Sequence, residues 1–212
     1  DVFDAAGLPP GVLNLVSGRG AEVGAALMMH PGVAGGTFTG SHEVGTGLLR
    51  HFVAGPRPRP LIAEMGGKNA AIVTRHADLD RAATGIVRSA FGLQGQKCSA
   101  CSRVYVEQPV AEALRQQLRQ RTEALAVGDP TVAANWMGPV INGSAVQRYR
   151  RAVDDLQREG QVLCGGRRLE DGALARGHFV APTVAGAPYG HRLWREELFL
   201  PLVLVGEVGS LD

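Results

Sequence analysis

Short apolar stretches alternate with helical patterns along the first part of this chain. Strands are predicted at residues 11–18, in a brief stretch ending at Phe38, and at residues 61–66, and helices are predicted at 21–29 and 41–52. Strands that alternate with helices of this length are typical of βαβ units, whose strands run parallel. This part of the chain therefore predicts a portion of a doubly wound, Rossmann-like parallel sheet.

The second part of the chain repeats the alternation with stronger helical patterns. Asp78 is predicted to cap a helix whose apolar residues, from Ala82 to Phe91, fall on one stripe. Further helices are predicted at 110–126 and from Ser144 to Gly160, and strands at 103–107, 161–166, 179–184 and 201–208. The pattern predicts an α/β fold in two parts that divide near residues 66 and 67.

Composition and charge exclude several classes of function. Of 212 residues, 45% are hydrophobic and 20% are charged, as in ordinary globular proteins. The formal net charge of +2 is too small to predict a nucleic-acid or membrane partner, and the basic run 57–60 is expected to be a solvated loop. Three cysteines, no signal-like start and no long apolar run predict a cytoplasmic protein without a disulfide framework. Because the chain lacks an initiator methionine and stops just after a strand, we expect an internal fragment of a longer protein.

The segment GQKCSACSR, residues 95–103, holds two cysteines three positions apart and no His, Asp or Glu. A zinc site would need a second ligand pair, but Cys164 stands alone, so no metal is expected. A thioredoxin-like motif would stand near the front of a βαβ unit, not after a long helix. Two buried structural cysteines remain possible. The glycines before Cys98 let the backbone come close to a bound molecule. If a helical turn starts near Lys97, Cys98 would lie at a helix N-terminus, which favours its thiolate.

Glu64 is the best candidate for a base that could serve such a thiol. It ends an apolar strand and precedes two glycines, which favours a carboxylate that faces a crevice and acts as a general base. A structural salt bridge to Lys68 explains the same position equally well. The six histidines share no motif with the cysteine segment. The stretch GRGAEVG, residues 18–24, lacks the G-x-G-x-x-G spacing and is interpreted as turn and helix packing.

Taken with Glu64 and Cys98, the motifs of this chain resemble those of the aldehyde dehydrogenase superfamily. The blocks that match, in the family's order and at its spacing, are AGLPPGVLNLVSG, FTGSHEVG, EMGGKNAAIV, ADLDRAA, GQKCSACSRVYV, MGPVI, FVAPTV and REELFLPLV. The forms GQKCSACSR and EELFLP, the latter with Leu where most members have Gly, most resemble the branch acting on glutamate semialdehyde, the open form of 1-pyrroline-5-carboxylate.

The resemblance implies roles for residues around the reacting carbonyl group. Cys98 matches the catalytic nucleophile, and Glu64 matches the general base that activates the deacylating water. Gly67 lies where the family lines its catalytic crevice, and Ser99 matches a position that contacts a substrate carboxylate. Cys101 is then a bystander that could form a reversible disulfide under oxidation.

The resemblance also implies residues that bind a dinucleotide. Gly40 and Ser41 match the turn and helix start beside the cofactor's pyrophosphate, a place suited to an anion. Glu197 and Phe199 match the pair that holds the nicotinamide ribose and flanks the nicotinamide. The cofactor is expected to be NAD or NADP, with NAD favoured.

The implied function is oxidation of an aldehyde, glutamate semialdehyde in proline catabolism, through a thiohemiacetal and a thioester on cysteine. Residues 1–66 would be the C-terminal part of the cofactor-binding domain, 67–205 the catalytic domain, and 206–212 the start of a linker. The resemblance further implies that the full-length protein forms a homo-oligomer. It also implies that the substrate is a small aldehyde. Two alternatives stay open: a CoA-acylating enzyme, disfavoured by Glu64, and a non-catalytic module of the same fold. The family's N-terminal half is absent, so this chain alone is expected to bind cofactor poorly.

Overall fold

The computed structural model describes residues 2–54 and 57–210. Its contacts divide the chain into two compact units, Asp1–Met65 and Gly66–Asp212. The division falls after residue 65, one position before the boundary that the sequence predicts. Positions 1, 55, 56, 211 and 212 of the predicted domains lie outside the described residues.

The unit Asp1–Met65 is built on a pair of parallel strands. Its elements are α1 (Val2–Ala5), a π-helical turn (Gly20–Gly24) that continues into α2 (Ala25–Met29), β1 (Gly36–Thr39), α3 (His42–Ala54) and β2 (Leu61–Glu64). In the pairing of β1 with β2, Gly36 lies opposite Leu61 and Thr39 lies opposite Glu64. The parallel α/β character predicted for this part of the chain is confirmed.

The strand predicted at residues 11–18 is wrong, because this segment forms turns and irregular backbone. Its apolar side chains are exposed, with Leu15 at 94%. None of the described residues pairs with the segment in a sheet. A strand needs a neighbour for its N–H and C=O groups, and an alternating apolar pattern cannot supply one.

The unit Gly66–Asp212 contains a five-stranded sheet with the order β3-β4-β7-β6-β5. All neighbouring strands run parallel except β5 and β6, which are antiparallel. The strands are β3 (Asn69–Val73), β4 (Cys101–Glu107), β5 (Gln161–Cys164), β6 (Thr183–Gly186) and β7 (Leu202–Val208). The helices are α4 (Leu79–Phe91), α5 (Gln108–Glu123) and α6 (Gly143–Glu159), with 3₁₀ turns at Gly92–Gly95, Gly172–Arg176 and Arg192–Trp194.

Apolar residues are buried on both faces of this sheet. Along β7, Val203 and Val205 belong to a cluster that includes residues of α4 and α5. The alternate residues Leu202 and Leu204 belong to a second cluster, which includes the apolar side of α6. Because successive side chains of a strand point to opposite faces, the helices cover the sheet from two sides. This arrangement holds β4, which begins within the cysteine segment at Cys101, between β3 and β7 in the sheet.

The predicted ends of helices and strands agree with the structure at some positions and differ at others. Asp78 caps α4 as predicted, since its Oδ1 accepts from the backbone N of Arg81 at 3.1 Å. The cap of α6 is Asn142, not Ser144, because Oδ1 of Asn142 accepts from the backbone N of Ala145 at 2.9 Å. Strand β7 continues through Val208, three residues into the stretch 206–212 predicted as a linker.

Within the described residues, no helix is long and apolar enough to cross a membrane.

Candidate active site

The carboxyl ends of β1 and β2 bring three of the predicted residues to one edge. Thr39 pairs with Glu64, and the backbone N of Gly40 donates to the carbonyl oxygen of Glu64 at 3.1 Å. Ser41 follows, and its Oγ accepts from the backbone N of Val44 at 3.4 Å, so it caps the first turn of α3. Gly40, Ser41 and Glu64 therefore lie together, with the Glu64 side chain exposed.

An apolar groove of about 620 Å³ runs beside Gly40 and Ser41. Gly20, Gly24 and Gly47 contribute bare backbone to it, since a Cβ added at any of them would meet no atom within 4 Å. Such a groove fits a flat apolar ring, and the neighbouring helix start fits an anion. Residues 20–24 do form the helical turn that the sequence predicts, but their part in this groove was missed. The available signal was two glycines four positions apart on one helical face.

Cys98 lies on an exposed turn between Lys97 and Ala100. The turn is closed by the backbone N of Ala100, which donates to the carbonyl oxygen of Lys97 at 3.0 Å. No helix begins at Lys97, so the helix N-terminus predicted at Cys98 is wrong. The physical reason is that β4 begins at Cys101, and the chain must enter the sheet before a helix could form.

The backbone before this turn is left-handed at three consecutive residues. The φ angles of Leu93, Gln94 and Gly95 are 51°, 58° and 65°. For a residue with a Cβ this conformation costs about 1–2 kcal/mol. A Cβ at Gly95 would also overlap the carbonyl oxygen of Leu200, so only glycine fits there. Strained backbone of this kind is found where a functional group must be held in place.

The three thiols have different surroundings. Cys98 is exposed, whereas Cys101 and Cys164 are each only 7% exposed. Burial raises the pKa of both the Cys101 thiol and the Cys164 thiol. Sγ of Cys101 donates to the carbonyl oxygen of Arg103 at 3.5 Å, which ties it to the start of β4. Among the described residues, no group of three or more His, Cys, Asp or Glu side chains could hold a metal ion.

Glu197 and Phe199 lie beside the two glycines that precede β3. The backbone N of Gly67 donates to Oε1 of Glu197 at 3.0 Å, and a Cβ at Gly66 would overlap the same carboxylate. Phe199 is left-handed, with φ of 57°. Gly67, Glu197 and Phe199 line one small cleft. The structure thus places the two predicted cofactor residues next to a glycine that the resemblance assigned to the catalytic crevice.

Ser99 faces a cavity of about 380 Å³. Two cationic side chains, Arg88 and Lys97, and a second hydroxyl, Ser89, line the same cavity. These groups are hydrogen-bond donors, and two of them are positively charged, so the cavity can accept a carboxylate. The sequence pointed to Ser99 alone.

Two residues that directly follow Gly67 had no predicted function. Nδ2 of Asn69 donates to the carbonyl oxygens of Cys98, at 2.7 Å, and of Ala100, at 3.2 Å. Burial, assisted by the charge of Arg103 and opposed by that of Glu197, lowers the pKa of the Lys68 amine to about 8. Their only signal was their place in the block EMGGKN, and no local pattern assigns either residue a role.

Comparison with known proteins gives the same family along the whole chain. The aldehyde dehydrogenase family model matches residues 1–212. The 1-pyrroline-5-carboxylate dehydrogenase of Geobacillus kaustophilus is 40% identical over 220 residues, covering 100% of this chain and 41% of that protein. The enzyme of the same name from Bacillus subtilis is 38% identical over 218 residues, again covering 100% and 41%. This chain therefore spans about two fifths of the length of these relatives.

Solved structures of similar proteins superpose closely. A 1-pyrroline-5-carboxylate dehydrogenase from Thermus with bound NAD matches with a TM-score of 0.90 and 39% identity, covering 99% of this chain and 40% of that one. A betaine aldehyde dehydrogenase from Staphylococcus aureus in complex with NAD⁺ matches with a TM-score of 0.93 and 29% identity, covering 99% and 41%.

Proposed function

Because the chain belongs to the aldehyde dehydrogenase family, we propose that Cys98 is the nucleophile with which the protein oxidises an aldehyde to a carboxylic acid. The observation that carries this proposal is the contrast among the three thiols: Cys98 is exposed on a held turn, whereas Cys101 and Cys164 are buried. A thiol must be reachable and readily ionised to attack a carbonyl carbon, and burial opposes both conditions.

The proposed reaction passes through two covalent states of the Cys98 sulfur. The thiolate bonds to the carbonyl carbon, and the π electrons move to oxygen, giving a thiohemiacetal alkoxide. Loss of a hydride from that carbon restores the C=O bond and leaves a thioester, and NAD⁺, when bound, would accept the hydride. Glu64 then takes a proton from water, the hydroxide adds to the thioester carbon, and the C–S bond breaks to release the acid and the thiolate. The role of Glu64 is carried over from the family's motif EMGGKN.

In each unit taken by itself, the residues proposed to hold NAD are chemically suited to one part of that molecule. Gly40 and Ser41 would receive the pyrophosphate at the start of α3, where helix N–H groups without partners favour an anion. The apolar groove beside them would receive the adenine ring. Glu197 and Phe199 would contact the nicotinamide ribose and flank the ring. NAD is proposed over NADP because the similar Thermus structure contains bound NAD.

The proposed substrate is an aldehyde that carries a carboxylate, and specifically glutamate semialdehyde. The cavity beside Ser99 is lined by Arg88 and Lys97, so an acidic substrate is attracted where an uncharged one is not. Relatives that are 38–40% identical carry the name 1-pyrroline-5-carboxylate dehydrogenase, which agrees with this chemistry and with proline catabolism. The cytoplasmic location and the homo-oligomeric assembly stay predictions.

The test compares two single substitutions, made in the full-length protein, in an assay of NADH formation with glutamate semialdehyde. We expect Cys98→Ala to lower kcat/KM by about a thousandfold or more, because the covalent step is lost. We expect Cys101→Ala, a matched change three residues away, to keep most of the activity. Equal losses in the two variants would contradict the assignment of the nucleophile.

Two further assays test separately the transfer of the acyl group to water and the choice of aldehyde. Formation of the acid without added coenzyme A supports transfer to water, and a strict need for coenzyme A would replace that part of the mechanism with acylation of a thiol. Pentanal, an uncharged aldehyde with the same five-carbon chain, should have a much lower kcat/KM than glutamate semialdehyde. Equal values for the two aldehydes would contradict the substrate while leaving aldehyde oxidation intact.

A further inference from the structure

The side chain of Asn69 bridges the turn that carries Cys98. Its Nδ2 donates to the carbonyl oxygens of Cys98 and Ala100, at 2.7 and 3.2 Å, so one amide nitrogen holds two points of the turn. Asn69 is the first residue of β3, and its backbone pairs with Cys101 at the start of β4. The side-chain amide that hydrogen-bonds to the turn therefore belongs to a residue of the sheet.

The close approach of these groups depends on Gly67. A Cβ at Gly67 would lie 2.9 Å from the carbonyl oxygen of Cys98 and 3.2 Å from the side-chain amide of Asn69. With no side chain at this position, nothing stands between the amide and the carbonyl. The glycine also donates its N–H to Glu197, so the same short segment contacts both the thiol turn and a proposed cofactor residue.

The two hydrogen bonds from Asn69 to the turn require a neutral side-chain amide. Nδ2 carries two hydrogens and can donate to two acceptors, as the two carbonyl oxygens demand. An aspartate has nearly the same shape but, when ionised, can only accept, so it would repel both carbonyls. Holding the Cys98 carbonyl fixes the peptide plane between Cys98 and Ser99. The direction of the Cys98 side chain is thereby restricted.

We propose that Asn69 is a positioning residue, which fixes the turn so that the Cys98 sulfur is presented to the substrate in one orientation. The inference rests on the proposed role of Cys98, but it assigns a residue that need not touch aldehyde or cofactor. Other polar contacts lie at the borders of the turn. Oε1 of Gln96 accepts from Ile141, and Oγ of Ser89 accepts from the backbone N of Cys101. Among the described residues, Asn69 provides the side-chain bond to Cys98 itself.

The test uses three substitutions at position 69 of the full-length protein and reads kcat, KM for NAD, and the rate at which iodoacetamide alkylates Cys98. Asn69→Ala should lower kcat by about ten- to a hundredfold, as expected for a misplaced reacting group, and leave KM for NAD unchanged. Asn69→Ser, which keeps one donor, should recover part of the loss. Asn69→Asp should have the lowest kcat, and its carboxylate should move the pH profile of Cys98 alkylation to higher pH.

The control is Asn142→Ala, which removes the cap of α6 and destabilises the fold without contacting the turn. If this variant loses kcat as Asn69→Ala does, a general loss of stability explains the effect and positioning is refuted. If kcat is unchanged in Asn69→Ala while Cys98→Ala is inactive, the inference fails and the proposed function survives. If Cys98 in the unsubstituted protein is alkylated no faster than the two buried thiols, the proposed function itself fails.

Discussion

A methyl group at Gly95 would overlap the carbonyl oxygen of Leu200, and φ at this residue is 65°. Both facts oppose any other amino acid, since the left-handed region disfavours a Cβ and a neighbouring backbone atom cannot move aside cheaply. Leu93 and Gln94 share the left-handed conformation and do carry side chains. The chain accepts this strain immediately before the turn of Cys98, where it redirects the backbone from α4 toward β4.

At the scale of this residue we predict that Gly95→Ala lowers the free energy of unfolding by about 3 kcal/mol, from backbone strain and overpacking together. The matched control is Gly85→Ala, in the middle of α4, where an added Cβ meets no atom within 4 Å. That variant should be stabilised by about 0.5–1 kcal/mol, because alanine is the better helix former. Urea unfolding measures both, and similar stabilities for the two variants would contradict the prediction.

The sequence suggests which residues carry the chemistry, but it does not predict how the structure holds them. Cys98 is singled out by its place in the segment GQKCSACSR, yet the helix N-terminus predicted to activate it is absent, because β4 begins at Cys101 and the chain forms a turn before it. The hydrogen bond from Asn69 joins residues 29 positions apart. No periodic or short-range pattern encodes such a contact, so it emerges only when β3 and β4 lie side by side.

At the scale of elements, one ion pair joins the residues that follow β3 to the end of β4. The backbone N of Arg75 donates to Oε2 of Glu107 at 2.6 Å, and its guanidinium donates to Oε1 at 2.6 and 3.0 Å. The Glu107 side chain is 5% exposed. The hydrogen bonds from Arg75 are the main reason that the pKa of the Glu107 carboxyl lies below its usual 4.5.

A lowered pKa gives this pair a defined pH dependence. Its contribution to stability is complete above the unfolded value of 4.5 and is lost as the pH falls through the lower folded value. We predict that Glu107→Gln lowers the urea midpoint at neutral pH, and that the difference from the unsubstituted protein disappears in acid. Glu112→Gln, at a side chain that is 90% exposed, should change the midpoint little at any pH. A Glu107→Gln difference that persists in acid would show that charge is not the cause.

Helices and strands were predicted unequally well for a physical reason. Helix α4 has its cap and its apolar stripe within one short segment, so Asp78 and the residues that follow suffice to predict it. Residues 11–18 have a strand's pattern but no described partner, and β3 was missed because it is a short strand with exposed positions. The cap of α6 moved from Ser144 to Asn142 because both residue types can cap, and only the backbone decides which one does.

At the scale of the whole molecule, the two units bury very different amounts of apolar surface. In Gly66–Asp212, two clusters of buried side chains cover opposite faces of the sheet. Among the described residues of Asp1–Met65, only Gly45, Leu48 and Phe52 are buried. Few buried contacts mean that local opening of a segment costs little free energy.

We predict that backbone amides of β1 and β2 exchange with deuterium faster than those of β4 and β7 by about a hundredfold or more. Hydrogen exchange followed by mass spectrometry of peptides from this chain measures both sets in one sample, so the second unit serves as the internal control. Equal protection of the four strands would show that the first unit is as stable as the second.

Burying two of its three thiols leaves the protein with one exposed thiol that a reagent can reach. A maleimide dye added in limited amount would couple at Cys98 and leave Cys101 and Cys164 unmodified, without any engineered residue. The attached fluorophore would lie on the turn to which Asn69 of β3 hydrogen-bonds. Its emission would change when a molecule binds near that turn. The protein in its native sequence is thus ready for site-specific labelling.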